Sequence, residues 1–270
     1  MTELLATLSA ITFYLVCTVL LLLRLRKHTS VAGLSKIAIL IPGFLGLGAH
    51  MSALALNMIS PIGIDIGFYT AASLVSAFIV LFSLISALRH PVEILGIAVM
   101  PAASLAMAAD LVNSSSHLLP PGSSSGLIFH VMSSLIAYSI LGLAALHAIL
   151  LSIQNSLLHK HQPGGAIRLL PPLKTMENLL FDTIVTGFFC LSLSLVSGMM
   201  FLENMFAQQL AHKTVLSILA WIVFAILLLG RWQLGWRGRT EIRWTLGGFI
   251  SLMLAYFGIK FVLEVLLASA

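Results

Sequence analysis

Long apolar runs separated by short polar segments make up most of this sequence. Eight of the runs approach the roughly 20 apolar residues that a helix needs to cross the hydrocarbon of a membrane. The pattern predicts an all-α, polytopic integral membrane protein with about eight transmembrane helices in one bundle, forming a single domain over residues 1–270. The approximate limits of the predicted spans are 3–23, 36–57, 67–88, 92–112, 127–152, 179–202, 213–231 and 244–267.

The amino-acid composition indicates the same class of protein. The chain is 59% hydrophobic and 9% charged, whereas soluble domains are about 25% charged. Its net charge of +5 does not indicate nucleic-acid binding, because the basic residues stand at the edges of apolar runs, where they orient helices. Cys17 and Cys190 lie inside apolar runs and form no CxxC pair, so neither a disulfide framework nor a thiolate metal site is indicated.

The basic residues predict how the helices are oriented. Twelve of the 14 Lys and Arg residues follow spans 1, 3, 5 and 7, and the positive-inside rule places those connections in the cytoplasm. Both termini are therefore predicted to lie outside. The first span is predicted to be retained, because its basic residues follow the apolar run, the reverse of a secretory signal peptide. The twelve residues are Arg24, Arg26, Lys27, Lys36, Arg89, Lys160, Arg168, Lys174, Arg231, Arg237, Arg239 and Arg243.

Three histidines are the main candidates for a functional site, because ionisable groups at membrane depth are costly and indicate function by default. His50 lies about two-thirds of the way along span 2 towards the outer face, at a rise of about 1.5 Å per residue. His130 lies a few residues into span 5, and His212 directly precedes span 7. His147 lies about 25 Å further along the helix of His130 and belongs near its cytoplasmic end. Three separate helices are thus predicted to bring imidazoles to the outer third of the membrane.

Two imidazoles facing each other across a flat ring are axial ligands that low-spin haem iron accepts. The residues alone do not separate the possible ligand pairs among His50, His130 and His212. Small residues before His50 and after His130 either let helices approach closely or leave a flat cleft for a ring. Lys213 and Lys260 are predicted to supply positive charge for the propionates. Because the chain has no CxxCH sequence, the predicted haem is non-covalent and of b type.

The residues alone leave other interpretations open. Histidine also serves helix packing and interhelical hydrogen bonding in membranes, so each of the three histidines has a structural alternative. A metal site without a porphyrin is less favoured, because no carboxylate stands at ligand spacing beside these histidines. Asp65 and Asp110 are interpreted as interfacial groups on the outer side. His159 and His161 are interpreted as part of a solvated connection of about 26 residues between spans 5 and 6.

Several motifs resemble the cytochrome c assembly family, and its CcsA/HemX-like branch in particular. The resemblance covers most of the chain, and it implies haem binding at the outer face of an energy-transducing membrane, here a bacterial inner membrane. It implies His130 and His212 as the iron ligands, with His50 as an alternative ligand or a supporting group. The segment that opens with His130-Val131 is similar to the family's haem-handling helix, with Ser134 and Tyr138 after it. The other motifs are His212-Lys213-Thr214, Ser217, Trp221, the loop Gly235-Trp236-Arg237-Gly238-Arg239 and Tyr256-Phe257-Gly258.

The chain departs from the family at two places. Full cytochrome c synthases hold haem beneath a Trp-rich outer segment, the WWD motif (WGxxWxWD), between external histidines. The corresponding stretch here, 202–212, has no tryptophan, and 259–270 lacks the second external histidine. The resemblance therefore implies an accessory protein without synthase activity. The sequence also contains no nucleophile–base arrangement, phosphate loop or redox cysteine pair, so we expect no enzymatic activity.

Two further functions remain as alternatives. The protein is either a component that delivers haem during cytochrome c maturation, or a membrane transporter or structural subunit that binds no haem. Two matching broken helices at mid-membrane would favour a transporter, and Pro42-Gly43 and Pro101 are a poor pair of this kind. The expected partners are the lipid bilayer, haem and other membrane components of cytochrome c maturation.

Overall fold

The computed structural model of the protein describes residues 2–60, 63–113, 118–119, 123–159, 170–201 and 211–258. These residues divide into two compact units. Unit 1 contains the first four predicted spans and unit 2 contains the last four.

Unit 1 is a four-helix unit with a small sheet at one end. The sheet joins the connection between the second and third helices to the segment that follows the fourth helix, and all its strand pairs are antiparallel. The helices are α1 (Thr2–Leu25), α2 (Lys36–Met58), α3 (Phe68–Arg89) and α4 (Gly96–Val112), and the strands are β1 (Ile59–Ser60), β2 (Gly63–Asp65) and β3 (Leu118–Leu119).

Unit 2 contains the longest helices of the chain. Its first two helices pack against each other along much of their length, and its last helix packs against both the first and the third. The last helix continues into a π-helical turn, Leu254–Gly258. The helices are α5 (Ser125–His159), α6 (Leu173–Phe201), α7 (Ala211–Leu234) and α8 (Arg239–Met253).

The structure confirms an all-α, polytopic membrane protein. Seven helices are long and apolar enough to span a membrane within the described part of the chain. Of the eighth predicted span, 244–267, the last nine residues lie outside the described residues. The single domain and the outer location of the termini stay predictions.

Three helices extend five or more residues beyond their predicted limits, and one of them is α8, which begins at Arg239 and not at 244. Helix α5 continues to His159, and α6 begins at Leu173, six residues before the predicted limit of 179. The apolar pattern follows the thickness of the membrane, whereas backbone hydrogen bonding continues through polar residues beyond it. The interpretation of His159 as part of a loop is therefore wrong, because it is the last residue of α5; His161 lies outside the described residues.

Small residues of α2 let neighbouring helices approach closely. A Cβ atom at Gly43 would lie 2.8 Å from Cε of Met100, and one at Gly46 would lie 2.7 Å from Cδ1 of Tyr14. Neither position could carry a larger side chain without moving its neighbour. These two glycines therefore serve helix packing inside unit 1, and no cleft for a flat ring opens beside them.

Candidate functional site

His130 is held by α6 through one of its two ring nitrogens. Its Nδ1 lies 2.9 Å from the carbonyl oxygen of Ser194 and 3.3 Å from Oγ of Ser197. A carbonyl oxygen only accepts hydrogen bonds, so Nδ1 carries the proton and donates it. Nε2 is then the nitrogen with the lone pair, and it has no hydrogen-bond partner among the described residues.

Serine side chains fix the backbone around His130. The hydroxyls of Ser133 and Ser134 both donate to the carbonyl oxygen of His130. Ser134 Oγ also lies 2.9 Å from Oγ of Ser194, which joins α5 to α6 at the same level. Ser197 Oγ donates to the Ser194 carbonyl at 2.8 Å. The imidazole is thus oriented by two helices that are themselves joined by hydrogen bonds.

The other site residues predicted in unit 2 are described less fully. His212 is the second residue of α7, and its side chain lies outside the part that the structure describes. Lys213 follows it in α7 and is half-buried. Lys260 lies outside the described residues. The structure therefore places His212 and Lys213 at the beginning of α7. It shows no contact of His130 with either of them among the described side chains.

His147 lies about 25 Å further along α5 than His130, as its spacing predicts. It is buried, and Oγ1 of Thr183 lies 3.4 Å from its Nδ1. Since 17 helical residues separate it from His130, a rise of about 1.5 Å per residue keeps it out of the same site.

His50 has a different environment, inside unit 1. It is fully buried, with Nδ1 3.2 Å from the hydroxyl oxygen of Tyr14 and Nε2 3.0 Å from Oγ of Ser73. Both ring nitrogens are therefore engaged. An iron ligand at this position would have to give up one of these hydrogen bonds, which makes the geometry of His50 a poorer fit to haem than that of His130.

Sequence reasoning did not identify the partners of His50. The ring of Tyr14 lies against Gly46, one helical turn before His50, so its hydroxyl reaches the imidazole. The pair is separated by 36 residues in sequence. The available sequence signal was Gly46, one helical turn before His50. A glycine has no side chain, so an aromatic ring from another helix can lie against the backbone there.

The GWRGR motif forms a tight connection between α7 and α8. Trp236 donates its backbone N–H to the carbonyl oxygen of Gly230 at 3.1 Å, and its ring covers Gly230 so closely that a Cβ there would lie 2.4 Å from the ring. Gly235 and Gly238 have φ angles of +66° and +61°, which favour glycine. The ring of Trp236 stacks on Trp244 at a centroid distance of 5.5 Å. The glycines and tryptophans of this loop are thus explained by backbone geometry and ring packing.

A buried ion pair reinforces the same end of unit 2. Nη1 of Arg231 donates to Oε2 of Glu241, and both side chains are buried. The guanidinium of Arg231 also lies 4.9 Å from the ring centroid of Phe181 on α6, a cation–π geometry. Arg231 and Glu241 therefore join α6, α7 and α8, whereas Arg237 and Arg239 are exposed.

Two further family-like residues also contact neighbouring helices. Nε1 of Trp221 donates to Oγ of Ser192 at 2.8 Å, and its ring stacks on Phe188. The ring of Tyr138 lies 5.2 Å from that of Phe257 in the π-helical turn, and its buried hydroxyl has no partner among the described residues. Trp221 is thus a packing residue.

These features define the class of protein: a multi-pass helical membrane protein with a histidine oriented by its neighbour helix. Residues 38–267 match the family model described as "Cytochrome C assembly protein". The match covers most of the chain, so the protein belongs to the cytochrome c assembly family. The resemblance that the sequence motifs indicated is confirmed.

Comparisons with individual proteins agree. The chain is 35% identical over 141 residues to the inner membrane protein YpjD of Escherichia coli K12, covering 52% of this chain and 53% of that protein. It is 33% identical over 140 residues to an uncharacterised 28.8 kDa protein of Azospirillum brasilense, covering 51% and 52%. It is 28% identical over 151 residues to the cytochrome c biogenesis protein CcsA of Chlamydomonas reinhardtii, covering 55% and 42%. The matched region spans about half the length of the first two relatives. No solved structure matches the chain.

Proposed function

We propose that this protein binds haem non-covalently through His130 and acts as an accessory in cytochrome c maturation at the inner membrane. Family membership supports a part in maturation, and one group of relatives is named for cytochrome c biogenesis. The location is supported by the relative named as an inner membrane protein and by seven apolar helices within the described residues.

The hydrogen bond from His130 Nδ1 to the carbonyl oxygen of Ser194 carries this proposal. Metal-binding histidines usually donate their second ring N–H to a carbonyl or carboxylate, which fixes the tautomer and raises the basicity of the ligating nitrogen. The 2.9 Å contact supplies that arrangement without a metal. Haem iron accepts a neutral imidazole nitrogen as an axial ligand, and Nε2 of His130 meets this requirement.

His212 is the proposed second ligand. It lies in the HKT motif at the beginning of α7 and, like His130, belongs to unit 2. His50 is the less favoured alternative because both of its nitrogens already have hydrogen-bond partners. Lys213 and Lys260 are proposed to neutralise the haem propionates.

The accessory role follows from what the chain lacks relative to full synthases. Segment 202–212 has no tryptophan for a WWD motif, and no histidine occurs in 259–270. We therefore propose haem binding without ligase activity. Attachment of haem to an apocytochrome would then belong to another protein.

The test is a haemin titration of the purified, detergent-solubilised protein, followed by absorption spectra in the oxidised and dithionite-reduced states. We expect a Soret band with sharp reduced α and β bands for the unaltered chain. These bands should be lost in His130→Ala and weakened or changed in His212→Ala.

His147→Gln is the matched control, because it alters a histidine about 25 Å further along the same helix. It should retain the spectrum of the unaltered protein. His50→Gln should retain it too if the proposed ligands are correct. The absence of bands after stoichiometric haemin in folded protein, or an unchanged spectrum in His130→Ala, would overturn the assignment.

A further inference from the structure

A small groove lies in unit 1 between the last turn of α1 and the segment that leads into α4. That segment is a 3-10 turn, Glu93–Leu95, directly before Gly96. The groove is partly open, its walls are mostly apolar, and each of the two segments contributes one charged side chain to it. The lining residues are Leu21, Arg24, Leu25, Glu93, Ile94 and Ile97.

Arg24 lines this groove without a partner in the described part of the chain. Its side chain makes no hydrogen bond or ion pair with any residue that the structure describes. It stands in the last turn of α1, at the end of an apolar run, and it is half-buried. An arginine in this position keeps its apolar stem against the helices and its guanidinium at the level of the lipid headgroups. The guanidinium is planar, and its N–H groups match the oxygens of a phosphate.

Glu93 supplies a hydrogen-bond acceptor on the other side of the groove. Its Oε2 lies 3.6 Å from Nζ of Lys36, an ion pair that is too long for a hydrogen bond, and it accepts no hydrogen bond from the described residues. Nζ of Lys36 instead donates to the carbonyl oxygen of His90 at 2.8 Å. Lys36 therefore balances the charge of Glu93 but leaves the carboxylate, whose side chain is 18% exposed, able to accept from a donor in the groove.

The end of unit 1 around the groove is strongly basic. Segments 24–36 and 89–93 meet there, because Lys36 contacts both Glu93 and His90. The two segments contain five basic residues and one acidic residue, Glu93. A ligand with a net negative charge is therefore attracted to this end, whereas a zwitterionic ligand gains much less. The basic residues are Arg24, Arg26, Lys27, Lys36 and Arg89.

We propose that this groove binds one acidic phospholipid with a glycerol headgroup, of the phosphatidylglycerol type. Arg24 donates to the phosphate oxygens, a headgroup hydroxyl donates to the carboxylate of Glu93, and the apolar walls contact the beginning of an acyl chain. The positive-inside rule predicts that this end faces the cytoplasm, and basic pockets between membrane helices on that side are suited to anionic headgroups. The inference rests on unit 1 alone and does not depend on haem binding.

The test is native mass spectrometry of the full-length protein from detergent micelles, titrated with dimyristoyl lipids that differ only in the headgroup. We expect phosphatidylglycerol to bind about tenfold more tightly than phosphatidylcholine or phosphatidylethanolamine, which carry no net charge. Phosphatidylmethanol keeps the negative phosphate but has no headgroup hydroxyl, so it should bind more weakly than phosphatidylglycerol. Inorganic phosphate should not displace the lipid, because it makes no contact with the apolar walls.

Arg24→Gln should weaken the binding of phosphatidylglycerol about tenfold, as expected for the loss of hydrogen bonds between charged groups. Arg26→Gln is the matched control, because it removes the same charge two residues away from an exposed side chain that does not line the groove. It should leave the dissociation constant within about twofold of the unaltered protein. Arg24→Lys provides a second variant if Arg24→Gln does not fold, and it should bind with an intermediate affinity because it keeps the charge but loses the planar guanidinium.

Four results would overturn the proposal. Equal affinity for phosphatidylglycerol and phosphatidylcholine would exclude an acidic-lipid site, and equal affinity for phosphatidylmethanol would exclude the contact with Glu93. Displacement by inorganic phosphate would show a site for a free anion and not for a lipid. An effect of Arg26→Gln as large as that of the folded Arg24 variants would show general attraction by the basic end and no specific groove.

Discussion

His50 and His130 are the same residue type on membrane helices, but their hydrogen-bond partners differ in kind. His130 meets a backbone carbonyl, which only accepts, so its proton is fixed on Nδ1. His50 meets two hydroxyls, which donate or accept, so neither tautomer is excluded. The first arrangement leaves the lone pair of Nε2 available to a ligand, and the second engages both ring nitrogens with protein hydroxyls.

The comparison shows that two histidines on membrane helices can differ in the hydrogen-bond partners of both ring nitrogens. Membrane depth alone does not distinguish the two residues. An ionisable side chain inside a membrane is energetically costly in either position, so both histidines are candidates for function. The structure separates them by burial and by bonding. His50 is fully buried in unit 1, whereas His130 is half-buried in unit 2 with Nε2 unbonded among the described residues.

Removal of each imidazole should show the largest difference between the two sites. His50→Ala leaves the hydroxyls of Tyr14 and Ser73 without their shared partner and opens a cavity, so we expect a loss of about 3 kcal/mol in the free energy of unfolding. His130→Ala should cost about 1 kcal/mol, because only one nitrogen is bonded. Chemical or thermal unfolding in detergent measures both. Equal losses would contradict the assigned difference in packing.

Displacement of Tyr14 should have the next largest effect. In Gly46→Ala, the new Cβ would collide with the Tyr14 ring, so we expect a loss of about 1–3 kcal/mol in the free energy of unfolding. Gly48→Ala is the control on the same helix, because it has open space around it. It should be neutral or stabilising by up to about 1 kcal/mol, as alanine favours helix. A similar destabilisation in both variants would indicate that helix packing at Gly46 is not specific.

Removal of a single hydroxyl should sharpen the comparison further. Tyr14→Phe leaves Nδ1 of His50 buried without its partner, and we expect a cost of about 1–2 kcal/mol. Tyr138→Phe removes a buried hydroxyl that has no partner among the described residues, so it should cost nothing or stabilise the protein. The same unfolding experiment compares them. Tyr138→Phe as the more damaging variant would contradict this hydrogen-bond assignment.

The helices could be predicted from the sequence because each is indicated by a continuous run of apolar residues, which is a local pattern. The length of the apolar runs predicted the spans, and seven are confirmed within the described residues. Helix ends were less certain, as at His159, because hydrogen bonding continues past the apolar stretch. His130 was also identified correctly as a residue near the beginning of its helix.

The bonding within each site could not be predicted, because it depends on residues far apart in sequence. Tyr14 reaches His50 across 36 residues, and Ser194 reaches His130 across 64. The second contact uses a backbone carbonyl, which every residue has, so no side-chain pattern marks it. The donors to Asp110, Asn57 and Thr70, likewise lie on other helices.

The smallest expected effect comes from removing Ser197 beside His130, and removal of Ser73 beside His50 provides the comparison. Ser197→Ala deletes the longer contact to His130, 3.3 Å, but leaves the carbonyl of Ser194 in place. We therefore expect a loss of about 0.5 kcal/mol in unfolding free energy and, with haem bound, an unchanged reduced spectrum. Ser73→Ala removes the partner of His50 Nε2 and should cost about 1–2 kcal/mol. If Ser197→Ala instead changes the haem spectrum as much as His130→Ala, the hydroxyl and not the carbonyl orients His130, and the contrast between the two histidines is lost.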